Sequence, residues 1–476
     1  MVPIFPAYYA RNENKTAMKT KLKARRCLLA FGSCLLVAAV IIGLDAGTLA
    51  ACGEGSVDAK AMKAAKEWLA RPENPLPDEV LAAQGLSRRA SSNVATALWR
   101  EYQSNSSVSS SRILPEPTVV RELRNMQLTP GELKTGDKTM PFVFLQRGKK
   151  TKQMPLFIAL HGGGGAKVDG PHAWPVNTRE WQTQAQLAAT LYPDNALYFV
   201  PRMADDRDGR WYYSYCQDAY DQVIRDAIRH HDVDPNRIYL IGISEGAYTA
   251  YRLGAFMADR WAGAGSMAGG EPLGNAPPEN MRNLAFRADI GERDTMYDRL
   301  GLNKRYGEAL ADLKKEDSDG FEYMIQVHQG RGHGIDYRGC AEWIYGYERD
   351  PWPSRVHWVN IDVHGRRRMQ TYWLALDQAP EGRVEFDAEI DRESNSVSVS
   401  VLRRDGEQST PDNSISFRVY LNDEMLDLDR PVRVIRNGIE VSSAKVDRAL
   451  STMLQSLVER GDPNYCFPAM VQIDGK

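Results

Sequence analysis

The sequence predicts an α/β fold, a mostly parallel sheet with helices on both faces, preceded by a helical segment and followed by a small, mostly β domain. Three observations carry that prediction. Between about 115 and 350, apolar runs of strand length alternate with helical stretches, the pattern of strands buried on both faces. Glycine-rich turns close two of those runs, at His161-Gly162-Gly163-Gly164-Gly165 and Gly242-Ile243-Ser244-Glu245-Gly246. After Tyr372-Trp373-Leu374 the apolar period becomes two, as in half-exposed strands.

Taken in order, 59–69 is rich in Ala, Lys and Leu, and Val94, Ala97, Leu98 and Tyr102 recur on one helical face, with Pro72, Pro75 and Pro77 between the two pieces. A serine-rich link over 104–111 leads into short strands over 123–145, with a turn at Thr129-Pro130-Gly131. The sheet proper reads as strands over 154–160, 196–200, 237–243, 262–267, 284–290 and 322–327, with helices near 181–191, 219–230 and 245–259. Toward the end, Val397, Val399 and Val401 alternate with polar residues, as do Phe417, Val419 and Leu421. Asn437-Gly438 between two apolar runs signals a hairpin. Val446, Leu450, Met453, Leu454 and Leu457 share one face of a helix. The divisions are 1–52, 53–113, 114–378 and 379–476.

The 476 residues suffice for about three domains, and a hydrophobic fraction of 43% excludes both wholesale disorder and a polytopic membrane protein. The net charge of −2 is unevenly spread. Residues 1–51 carry seven basic and two acidic groups, so the remainder has an excess of seven acids and no general attraction for phosphate backbones. Nucleic acid is therefore not an expected partner.

The basic cluster runs into an uncharged stretch over 27–44 and then small residues ending Leu49-Ala50-Ala51-Cys52-Gly53, the layout of an export signal. Initiation at Met18 would give a more usual leader. Leu49-Ala50-Ala51-Cys52 resembles a bacterial lipobox, which would place a lipid on Cys52; Asp45 interrupts the apolar run and departs from that pattern. A lipoprotein, a cleaved signal and a signal anchor all remain open. Each places the body outside the cytoplasm, in or beyond a bacterial cell envelope, the first and last with a membrane attachment. Only Cys216, Cys340 and Cys466 lie outside the leader, allowing one internal disulfide at most, and no spacing supports a zinc site.

Gly242-x-Ser244-x-Gly246 lies between a strand and a helix, where small flanking residues let the backbone turn sharply and present the Ser244 hydroxyl. A serine needs a base and the base needs a carboxylate. His333, in Gly332-His333-Gly334, and Asp294, in Gly291-Glu292-Arg293-Asp294, each follow a later strand in the required order. Asp289 and Asp298 rival Asp294, whereas His328 sits at a strand end as a candidate packed or bonded core residue, and His357 and His364 lie beyond the expected strand. His161 reads as a loop-shaping hydrogen bonder. The oxyanion would be met by the amide of Glu245 together with that of Gly163 or Gly164. Arg202, Trp211, Tyr212 and Tyr213, after a strand, are candidates for binding substrate, with packing as their alternative role.

The histidine-glycine run, the serine elbow, Gly291-x-x-Asp294 and Gly332-His333 together resemble the α/β-hydrolase superfamily. Asp234-Pro235-x-Arg237-x-Tyr239 is similar to the poly(3-hydroxybutyrate) depolymerase and feruloyl or acetyl-xylan esterase group, and to the catalytic domain of prolyl oligopeptidases. The resemblance covers about half of the chain. It implies a hydrolase domain over 114–378 and an exported serine esterase acting on small esters or acylated carbohydrate, without metal or organic cofactor. A prolyl oligopeptidase-like peptidase and a non-catalytic binding protein are the alternatives. One departure is Ala247, where relatives commonly place glycine.

Overall fold

The computed structural model describes residues 56–104, 112–120, 130–165, 175–406 and 408–476. The leader, Cys52, the serine-rich link and the first part of the 123–145 strand region fall outside the described residues. Three helices come first: α1 (Ala59–Leu69), α2 (Asp78–Ala82) and α3 (Arg88–Ser104). Strands β1 (Thr118–Val120), β2 (Gly131–Thr135), β3 (Lys138–Arg147) and β4 (Met154–Leu160) lead to α4 (Pro175–Thr190). The alternation continues with β5 (Ala196–Pro201), α5 (Ser214–His230), β6 (Val233–Ile243), α6 (Glu245–Phe256), β7 (Gly263–Met267), β8 (Ala285–Gly291), α7 (Arg299–Glu316), β9 (Tyr323–His328) and α8 (Arg338–Ile344).

These strands form one nine-stranded sheet in the order β1-β3-β5-β4-β6-β7-β8-β9, with β2 paired to β3. The pairs from β5 through β9 are all parallel, and β3 runs antiparallel to both β2 and β5. Every residue of β4 and β5 is buried, as the continuous apolar runs require. The chain leaves β4 toward β5 on one side and returns to β6 on the other. That reversal opens a crevice at the carboxyl ends of β4 and β6, where open α/β sheets bind ligands. The strand order, the sheathing helices and the sharp β6–α6 turn are those of an α/β-hydrolase fold.

The rest of the chain builds two further sheets. β10 (Arg355–Asn360), β13 (Arg383–Asp391), β14 (Ser396–Asp405), β15 (Gln408–Pro411), β17 (Val432–Arg436) and β18 (Ile439–Ala444) form one, and β11 (Gln370–Thr371), β12 (Leu374–Leu376), β16 (Phe417–Leu421) and β19 (Ala469–Ile473) the other. The Asn437-Gly438 turn sits between β17 and β18, both residues at positive φ. Between β18 and β19 lies α9 (Leu450–Arg460).

The described residues, 56–476 with the gaps given above, form one compact unit. Phe386, Val399, Val419 and Phe467 share a buried cluster with Tyr251, Phe286 and Tyr306, and β10 pairs along its whole length with β13. The apolar face of α9 packs with Ala65, Leu69, Val94 and Leu98 of the first helices. Cys216, Cys340 and Cys466 are buried free thiols.

Candidate active site

The elbow is built by exclusion of side chains. A Cβ on Gly242 would stand 2.1 Å from the Gly246 carbonyl, and one on Gly246 would stand 2.5 Å from the Leu160 oxygen. Only glycine permits this approach of β6, α6 and β4. Between them Ser244 takes φ 52° and ψ −107°, a conformation costing a non-glycine residue about 1–3 kcal/mol, offset here by its amide bond to Met267 O at 2.9 Å. Ala247 is accommodated by Gly269, where a Cβ would fall 2.5 Å from that of Ala247.

Ser244 Oγ lies 3.0 Å from His333 Nε2, and His333 Nδ1 lies 2.6 Å from Asp294 Oδ2. The two loops are laced by backbone: Arg293 N–H donates to Arg331 O and Glu292 N–H to His328 O, and a Cβ on Gly291 would meet Gly332 O at 2.0 Å. Asp294 is buried, and its other oxygen accepts from Arg299 Nη1 at 2.9 Å. Arg299 also bonds the Tyr248 hydroxyl, and its Nη1 stands 3.3 Å from His333 Nδ1. The rival groups are engaged elsewhere. His328 binds Asp289, itself held by Arg287, and Asp298 pairs with Arg305. His357 binds Glu385, and His364 lies at Ser214 and stacks on Tyr213.

The loop after β4 lies against the serine. A Cβ on Gly162 would come within 3.3 Å of Ser244 Cβ, and Gly163 and Gly164 have φ of 95° and 98°. Asn177, buried at the start of α4, accepts from the Gly164 N–H at 3.0 Å and donates to the Gly164 carbonyl at 3.1 Å. Gly164 is therefore corrected as an oxyanion donor: its N–H is already spent on Asn177. Gly163, partly exposed, and Glu245, at the first turn of α6, keep amides without a hydrogen bond among the described residues. His161 is wholly buried, accepts from Met203 N–H at Nε2 and bonds Gly162 O through Nδ1. Burial pushes its pKa down to about 3, so it stays neutral and holds the loop.

Two of the expected substrate contacts are also corrected. Arg202 is spent on Asp206, Thr178 and the Met203 carbonyl, and Asp206 in turn accepts from Asn177, so this guanidinium braces the glycine loop. Trp211 is fully buried, donates to His161 O at 2.9 Å and packs edge-on against the His161 ring. Tyr212 keeps a partly exposed ring, covered by Arg252 at 4.0 Å.

Sequence reasoning missed three features. Arg299 lies in a helix it did not read. Met296 and Tyr297, 62% and 74% exposed, follow Asp294 on a turn where Tyr297 and Asp298 have positive φ, and the Tyr297 ring lies 5.2 Å from Arg299. The Glu245 side chain was read only as the owner of an amide. It is largely buried beside Gly164, with Arg210 at 3.5 Å, and burial raises its pKa to about 7 against the opposing pull of Arg210 and Arg252. The Gly-x-Ser-x-Gly motif alone carried no signal for this, since the second variable position is unconstrained.

Fold and site together define the class: an α/β-hydrolase fold with a Ser-His-Asp hydrogen-bonded series at its strand-to-helix elbow. No family model and no curated protein sequence matches the chain. Among solved structures it is similar to a thermostable esterase (16% identity, TM-score 0.35), with 47% of this chain matching 63% of that one. It is similar also to a CE1 ferulic acid esterase from the anaerobic fungus Anaeromyces mucronatus (15% identity, TM-score 0.31), with 50% of this chain matching 95% of that one. A third is a candidate dipeptidyl aminopeptidase IV from Bacteroides ovatus (11% identity, TM-score 0.33), with 46% of this chain matching 34% of that one. These likenesses span about half of the chain.

Proposed function

We propose that the chain is an exported serine hydrolase that cleaves carboxylic esters, with Ser244 as nucleophile, His333 as base and Asp294 as the group that orients the imidazole. What supports the reading is the continuous series Asp294 Oδ2, His333 and Ser244 Oγ, at 2.6 and 3.0 Å, beside two amides that donate to nothing among the described residues. His333 Nε2 takes the hydroxyl proton as Oγ attacks the acyl carbon. The oxyanion forms toward the amides of Gly163 and Glu245, and His333 returns the proton to the departing alcohol. Water then repeats the sequence on the acyl-enzyme. Asp294 holds the tautomer with hydrogen on Nδ1, and Arg299 fixes Asp294 from its other oxygen.

The substrate class within this reading is an ester carrying an aromatic or sugar ring. Tyr297 and Met296 form an exposed apolar rim close to the Asp294 side of the site, suited to stacking on such a ring. Hydrolysis of an aryl acetate and methyl ferulate, compared with a prolyl and an alanyl anilide, tests both parts. Ester cleavage should dominate, and Ser244→Ala should lower it on the order of 10⁴-fold or more while the fold is retained. Undiminished activity in that variant removes the mechanism, and faster anilide cleavage makes the enzyme a peptidase.

A further inference from the structure

A cavity of about 250 Å³ opens at the far end of α6 from the elbow, between α5, the turn after α6, the segment before β11, and α9. Phe256, its contribution from α6, ends a 12-residue helix that Ser244 begins, so about 18 Å of helix separates the two places. Five arginines line it, Arg225, Arg260, Arg366, Arg367 and Arg368, against two acids, Asp221 and Glu459.

Most of these charges have identifiable partners. Arg366 grips Asp218 at the rim, Arg368 donates to Asp221 Oδ2 at 2.8 Å, and Glu459 accepts from Gln370 and the Tyr420 hydroxyl. Among the described residues the side-chain hydrogen bonds of Arg367 and Arg225 go to neutral partners, Asn360 for the first and the carbonyls of Val458 and Glu459 for the second. Arg260 is the exception. Its side chain is 2% exposed, its Nε lies 3.4 Å from Asp221 Oδ1, and neither Nε nor Nη1 has a hydrogen-bond partner among the described residues. Asp221 is shared with Arg368, so with Asp218 also counted the lining keeps two positive charges in excess. Burial pushes Arg260 down to about 10, with Arg460 and Arg225 adding to the shift against the opposing pull of Asp221 and Asp259.

We propose that this cavity binds a small anion bearing at least two negative charges, with Arg260, Arg225 and Arg367 as its cationic seat. The two unpartnered nitrogens of Arg260 are themselves sealed from solvent, so what this residue brings to the cavity is its charge, and an oxyanion there would cancel the excess that Arg260 shares with Arg225 and Arg367. The volume suits a phosphate, a sulfate or a small polycarboxylate and is small for a drug-sized ligand. The assignment is independent of the ester-hydrolase reading.

The test is thermal unfolding of the full chain in millimolar phosphate, sulfate or citrate, each against chloride at equal ionic strength, with calorimetric titration of the same anions. A saturable rise in Tm and one-to-one binding are expected. Response to phosphate and sulfate alone assigns a tetrahedral oxyanion, and response to citrate alone a polycarboxylate. Arg260→Gln should abolish the response. Arg366→Gln, at the exposed rim and tolerable to the fold, should weaken it severalfold. Absence of any response beyond chloride, or an unchanged response in either folded variant, overturns the assignment.

Discussion

Glu245 carries two separate properties in one residue. Its backbone amide has no hydrogen-bond partner among the described residues, whereas its carboxyl is buried beside Gly164 with its pKa raised to about 7. The unfolded chain releases this proton near 4.5, so between about 4.5 and 7 the folded state binds more protons and stability must fall as pH rises. Below 4.5 both states are protonated and the contribution vanishes; above 7 the cost is complete. Glu245→Gln keeps the amide and removes the charge. Urea unfolding of both proteins across this range should show the variant gaining relative stability up to about pH 7 and levelling off beyond it. A difference that does not change with pH would mean that Arg210, 3.5 Å away, already compensates the carboxylate.

At the scale of elements, the glycine loop after β4 is held by α4 as well as by its own His161. Asn177, through both sides of its amide, binds Gly164, and Arg202 and Asp206 brace Asn177 from behind. Asn177→Ala should free the Gly164 amide and loosen Gly163 beside it, lowering kcat for an ester roughly 10- to 100-fold with KM little changed. Unaltered kcat in the folded variant would place the oxyanion contact elsewhere. The same loop marks where the sequence was legible. The buried strands were read from apolar runs, and the elbow and its partners from glycines that permit close backbone approach, as Gly242, Gly246 and Gly291 do. α7 was not read, because its 18 residues are largely polar and only Arg299, Asn303, Tyr306 and Leu310 along it are buried. Arg202 and Trp211 looked like binding residues from their place after β5, since position along a strand end does not reveal which way a side chain turns.

For the whole molecule, the decisive question is whether the hydrolase portion stands without 379–476. Its sheet and the C-terminal sheets share one buried cluster, which holds Tyr251 and Phe286 together with Phe386 and Phe467. Charges cross the same boundary: Arg349 binds Asp462 at 2.7 Å with both side chains 1% exposed, and Arg460 pairs with buried Asp259. Removing one member of such a pair costs roughly 3–5 kcal/mol, and a whole domain is commonly stable by only about 5–15 kcal/mol. Truncation after residue 378 orphans Arg349 and Asp259 together, strips β13 from β10, and uncovers the apolar faces of α1 and α3 that α9 covers. The truncated chain should therefore be aggregated or lack fixed tertiary structure by near-ultraviolet circular dichroism, and the intact chain should unfold in one cooperative transition. A soluble 1–378 fragment with full ester hydrolysis would instead make the C-terminal sheets a separable module, and the shared cluster a contact between two self-sufficient bodies.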